Sequence, residues 1–137
     1  NISPYQVLPT ADGHILLAVG NNGQFERLCD VIDRPDLLAA SDYASNGLRV
    51  TNRKALTHEL ERSLKRWASA DLLAALEEAT VPAGPINSIG QAFDDPQIRA
   101  RGLVIEPEGV KGVRGPWKFS DAELTLDRTA PTLPKDN

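Results

Sequence analysis

The stretch VPAGPIN, Val81 to Asn87, places two prolines and one glycine between two segments that otherwise read as helix. A helix-to-helix connection usually needs only a glycine cap or a single proline. Two prolines fix the backbone and remove two amide donors, so this link is stiff and leaves its backbone exposed. It is either a rigid elbow or the lip of a binding site. Gly84, between the prolines, permits close approach of another backbone or of a ligand.

Upstream of this link, Leu72, Leu73 and Leu76 lie on the inner face of a helix, and Ser69 stands where an N-cap is expected. Before it the apolar residues Leu56, Leu60, Leu64 and Trp67 keep helical spacing, which predicts one long helix over residues 48–67. The polar run Ser41 to Gly47 reads as turn, and Pro35 suits the first turn of a short helix through Ala40. Phe25, Leu28, Cys29 and Ile32 form one face of a further helix that Asn21 or Asn22 can cap. HILLAVG, His14 to Gly20, follows the turn Asp12-Gly13 and is a short apolar run ending in glycine, hence a buried strand.

Downstream, Ser88 and Gln91 have capping-box spacing, and Asp95-Pro96 opens a short helix that Gly102 closes. The remainder turns to β: LVIE, the glycine-punctuated GVKGVRG, and PWKFS, paired antiparallel. The expected class is α+β, with several helices packed on a small antiparallel sheet. It divides into an extended lead-in over residues 1–9, a small domain over residues 10–120 and an extended tail over residues 121–137.

The chain has 137 residues, one domain's worth, and is 41% hydrophobic and 25% charged with net charge −4. Nucleic acid is not an expected partner, because phosphate binding wants a basic face and acids surround most of the basic spots here. No apolar run approaches the roughly 20 residues of a membrane span, and no signal peptide is evident. The single cysteine excludes an internal disulfide and fits a reducing cytoplasm. The chain opens on Asn1 and contains no methionine, so the expectation is a piece of a longer protein.

His14 and His58 are far apart and, with Cys29 alone, offer no metal-ligand spacing. Cys29 lies on an apolar stripe and reads as a core residue, not a nucleophile. Glu77-Glu78 and Asp94-Asp95 are adjacent pairs whose side chains diverge on a helix, and Asp95 precedes proline as a cap does. In GVKGVRG, Lys111 and Arg114 alternate with three glycines, as a phosphate-binding loop could. Strand follows it where a phosphate loop needs a helix, which favours a hairpin connection without bound phosphate. Arg49 and Arg53 are the exception to the bland reading. Helical phase from Leu60 puts both on the inward stripe, where each needs carbonyl, carboxylate or ligand partners.

The segments PYQVLPTADGHILLAVGNNGQFERLCDVI, NGLRVTNR, VPAGPIN, DDPQIRARG and GPWKFSD follow one another in a characteristic order. That succession resembles the small, C-terminal domain of class III CoA-transferases, the CaiB/BaiF family of formyl-CoA transferase, carnitine CoA-transferase and α-methylacyl-CoA racemase. The resemblance runs from Ser3 to about Pro134. It implies that a larger domain outside this chain carries the catalytic aspartate, most CoA contacts and the anhydride and thioester intermediates. The implied substrate is a CoA thioester, and the implied partners are that large domain and a second copy in an interlocked homodimer. No catalytic residue and no metal ligand is expected in this chain, and Arg49, Arg53 and Gly84 are the candidate cofactor-binding residues. The resemblance makes VPAGPIN an elbow of the small domain. One departure is Leu133-Pro134-Lys135, where the family has a leucine-glycine-glutamate turn. A racemase and a free-standing interaction module of the same fold are the alternative functions.

Overall fold

VPAGPIN is neither a bare elbow nor a loop: in the computed structural model, which describes residues 2–129 and 131, Ala83–Pro85 is a strand. We number it β3, after β1 (Tyr5–Pro9) and β2 (His14–Ala18). β2 lies at the centre of the antiparallel order β1-β2-β3, with Leu8 opposite Ile15 and Gly84 opposite Leu16. The prolines fit because β3 is an edge. The Pro82 carbonyl accepts from Ala18 N–H at 2.9 Å, and Ile86 N–H donates to the His14 carbonyl at 3.3 Å. By alternation position 85 points its nitrogen to the free edge, where a missing N–H costs no ladder bond. β1, within the stretch expected as a lead-in, supplies the other edge strand.

Helices cover this sheet. Asn21 caps α1 (Asn22–Val31), its side chain accepting from Gln24 N–H at 2.9 Å. Next come α2 (Pro35–Ala39), a 3-10 turn at Ser41–Tyr43, and α3 (Asn46–Thr51), capped by Ser45. The predicted long helix over residues 48–67 is interrupted: α4 spans Arg53–Leu64, and Asn52 between α3 and α4 has φ −95° and ψ 22°. Asn52 closes one helix and opens the next, and its amide donates to the Asp42 carbonyl at 3.1 Å. That loop bond competes with helical continuation. α5 spans Ser69–Glu78, and Ser69 is its first residue, not its cap. The Asp12 carboxylate takes the capping role from a distant turn, accepting from Ser69 N–H at 2.8 Å and Ser69 Oγ at 2.7 Å.

The core follows the predicted stripes. Leu8, Ile15 and Leu17 from the sheet meet Phe25, Leu28, Cys29, Leu56, Leu60, Leu64, Leu72 and Leu76 from the helices. Burial of such a side chain contributes roughly 1.5–3 kcal/mol, more than a typical cap, so the apolar stripes dominate the stability of this part. Trp67 and Leu73 are only half-buried against it.

The chain forms two compact units, Asn1–Ile86 and Asn87–Asn137, a division the sequence did not indicate. The second holds α6 (Ile89–Asp94) with the expected Ser88–Gln91 capping box. It also holds α7 (Pro96–Ala100), capped by Asp95, and a two-stranded ribbon of β4 (Val104–Ile105) and β5 (Gly112–Val113). PWKFS was expected as a strand and is irregular, and GVKGVRG contains β5 itself instead of being a turn. The connection between β4 and β5 is a 3-10 turn, Pro107–Gly109, in which Glu108 and Gly109 have φ 52° and 79°. The Leu133-Pro134-Lys135 departure lies outside the described residues. The architecture is α+β, as expected, and no helix among the described residues is long and apolar enough to cross a membrane.

Candidate functional site

Helical phase made Arg49 an inward cation, and its side chain is fully buried. Nε donates to the Ser3 carbonyl at 3.0 Å, Nη1 to the Tyr43 carbonyl at 2.9 Å and Nη2 to Asn22 Oδ1 at 3.0 Å. The guanidinium carbon also lies 4.5 Å from the centroid of the Phe25 ring. Burial pulls its pKa below the ordinary arginine value, with no carboxylate paired to it among the described residues. Arg49 thus ties the chain ahead of β1, the start of α1 and the 3-10 turn to α3. Its donors are taken up inside the fold.

Arg53 corrects the phase argument. It is exposed at the first position of α4, beside Thr51, Asn52 and Lys54 on a concave patch. It shares α4 and its helical register with Leu60, but the core does not extend to that first turn, where positions 53–55 are all exposed. Gly84 sits on β3, where an added Cβ would meet nothing within 4 Å, so nothing among the described residues crowds it. The three candidates are not gathered at one place. The cavity beside β3, about 580 Å³, is instead lined by Leu73, Glu77, Thr80, Val81, Pro82, Ala83 and Pro85. VPAGPIN therefore forms both an edge strand and a cavity wall.

Two polar clusters escaped the sequence reading. Arg34 grips Asp36 with two bonds of 2.7 Å, reaches Glu59 Oε2 at 2.9 Å and donates to Ser63 Oγ at 2.8 Å. Its guanidinium holds the carboxyls of Asp36 and Glu59 below their ordinary values, and they raise its own. Arg34 and Asp36 are neighbours in sequence, but nothing in one sequence announces Glu59, 25 residues away. The second cluster joins Thr10 Oγ1 to Ser69 Oγ at 2.6 Å, with Asp12 accepting from Ser69. The Ser69 hydrogen bonds lower the Asp12 pKa. Among the described residues no histidine is bonded to this serine, so the group has a carboxylate and hydroxyls but no general base of the triad kind.

Cys29 is buried, and burial, aided by Asp30 and Asp36, pushes its thiol up to about 12. It is a neutral core side chain at physiological pH. His14 and His58 are exposed, and no group of three metal-ligating side chains occurs among the described residues.

Helices on a small sheet, a buried arginine tie and a cavity at the sheet edge make up this α+β domain. The pattern of CoA-transferase family III matches residues 1–137, and the chain belongs to that family. It is 44% identical over 138 residues to the succinate–glutarate CoA-transferase of Agrobacterium fabrum, covering 97% of this chain and 34% of that protein. It is 38% identical over 138 residues to the succinyl-CoA:glutarate CoA-transferase of Homo sapiens, covering 97% of this chain and 32% of that one. A solved CaiB/BaiF family protein from Brucella suis superposes with a TM-score of 0.91 at 48% identity, covering 97% of this chain and 35% of its own. The chain spans about a third of the length of these relatives.

Proposed function

We propose that this chain is the small domain of an enzyme that transfers CoA between dicarboxylic acids by way of acyl-CoA thioesters. The observation that carries this is the 44% identity over 97% of the chain to a succinate–glutarate CoA-transferase. On this reading the nucleophile and most CoA contacts belong to a large domain outside the chain, and the enzyme works as an interlocked homodimer in the cytoplasm. The CoA thioester is a substrate, and this chain contributes one wall of the cleft. The cavity beside β3 suits such a wall, with apolar Leu73, Val81 and Pro82 and the single carboxylate of Glu77.

The Agrobacterium fabrum and human relatives are transferases, which favours transfer over racemisation of a 2-methylacyl-CoA and over an interaction module. The test is an assay of the longer protein containing this chain, with succinyl-CoA as donor and glutarate as acceptor. Glutaryl-CoA formation is expected. Failure with glutarate and other dicarboxylate acceptors, or exchange of an α-proton of a 2-methylacyl-CoA instead, overturns the reading.

A further inference from the structure

The second unit holds a group of cations that the transfer reading does not use. Arg101 follows α7, Arg114 follows β5, and Lys118 lies in the irregular stretch beyond. With Leu103 and Pro116 they line one cavity of about 350 Å³. Backbone geometry brings them together. Gly102, at φ 60°, lets the chain turn back after α7, with Gly102 N–H donating to the Arg99 carbonyl and Leu103 N–H to the Ile98 carbonyl. Arg114 N–H then donates to the Leu103 carbonyl at 2.8 Å, which continues the β4–β5 pairing and sets residue 114 across from residue 103.

These cations stand in a chain whose net charge is −4, and Glu123 shares the neighbouring cavity with Arg114 and Lys118 without a close ion pair among the described residues. Arg34, Arg62 and Arg99 each have a carboxylate partner. Among the described residues, no carboxylate pairs with Arg101, Arg114 or Lys118. Among those same described residues, Arg114 Nη2 has only the Arg101 carbonyl at 3.4 Å, and Arg114 Nε is shielded from water with no acceptor. A buried charged donor without an acceptor is costly, and such orphans point to a missing partner.

We propose that Arg101, Arg114 and Lys118 form a binding site for a small oxyanion, a phosphate or a carboxylate group. A guanidinium fork matches two oxygens of either group at once, which a halide cannot do. The cavity stands at the small end of ligand pockets and has room for a small anion. The site differs from the phosphate loop considered for GVKGVRG. It uses side chains, while the Arg114 amide is already bonded to Leu103. It stands independently of the CoA-transfer reading.

The full 137-residue chain is titrated with sodium phosphate and, separately, with sodium glutarate, each against sodium chloride at equal ionic strength. Calorimetry measures affinity, and amide shifts in nitrogen-15 NMR spectra locate it. The expected result is saturable oxyanion binding, with shifts centred on residues 101–103 and 112–118 and no matching response to chloride. The tighter of the two anions identifies the source, and equal affinity assigns the site to oxyanions in general. Arg114→Gln and Arg114→Lys should each weaken binding by roughly tenfold or more, the second because it keeps the charge and loses the fork. Lys118→Gln, at an exposed position outside the ribbon ladder, should weaken it by roughly threefold with the spectrum otherwise unchanged. Absence of saturable binding, shifts spread over all surface cations, or unchanged affinity in Lys118→Gln together with Arg114→Lys overturns the proposal.

Discussion

Arg49 is held out of water by neutral acceptors alone, an arrangement that is stable only while every acceptor stays in place. Arg49→Ala leaves the Ser3 and Tyr43 carbonyls and the Asn22 amide oxygen without their donor, and exposes a face of Phe25. Each stranded acceptor costs about 1–3 kcal/mol, partly offset by releasing a buried charge, so a net loss of about 3 kcal/mol is expected. Arg49→Lys should recover little of it, because one ammonium cannot span three divergent acceptors. Urea unfolding measures both, and a loss under about 1 kcal/mol for the alanine variant would show that the tie is idle. Arg53→Ala should stay within about 0.5 kcal/mol, since that side chain is exposed. The two arginines also show where a single sequence stops being informative. Helical phase read from Leu60 was right for Arg49 and wrong for Arg53. Arg53 keeps the register of Leu60 within α4 but stands on its first, exposed turn, and where a core stops along a helix is a tertiary fact that periodicity does not carry.

Among the elements, β3 was the hardest to read, because a three-residue strand with a proline at its end has none of the usual strand composition. It is specified by its partner: β2 is buried on alternate residues and pairs on both sides. PWKFS is the converse case, with aromatic strand composition and no strand pairing with it among the described residues. Gly84→Ala tests β3 directly. Its Cβ meets open space, so stability should be unchanged or rise by about 0.4–1 kcal/mol through the unfolded chain. A loss above about 1 kcal/mol would mean that β3 packs more closely than described. The Arg34–Asp36–Glu59 cluster joins the entry of α2 to α4 and gives a pH dependence. Both carboxyls titrate lower in the folded chain than their ordinary values. As pH falls below about 4, the unfolded chain therefore takes up protons first. The stabilisation is complete above that point and is lost as pH falls through the lowered folded values. Glu59→Gln should flatten the acid limb of a stability–pH curve, and an unchanged limb would remove the cluster from the account.

Across the whole molecule, every buried side chain among the described residues belongs to Asn1–Ile86, while Asn87–Asn137 leaves Ile89, Trp117 and Phe119 exposed. Amide exchange should accordingly be slowest in β2, α1, α4 and α5 and fast throughout the second unit. Uniform protection across both would contradict that distribution. The same division of chemistry predicts that this chain by itself neither transfers CoA nor binds it tightly. A covalent route needs an activated nucleophile in a water-excluding pocket. Cys29 is a buried thiol raised to about 12, and Ser69 is bonded to Asp12 and Thr10 with no histidine to take its proton. The cavity beside β3 is lined by Glu77 and no cation, and the three cations of the second unit line a small cavity of about 350 Å³. A CoA molecule carries phosphates, a nucleoside and a long pantetheine arm, and needs contacts along that whole length. Calorimetric titration of the chain with CoA and with glutaryl-CoA, alongside a turnover assay, should therefore give neither micromolar binding nor transfer. Tight binding that survives Arg114→Lys would move CoA recognition into Asn1–Ile86, and turnover would require a nucleophile that the bonding of Cys29 and Ser69 does not supply.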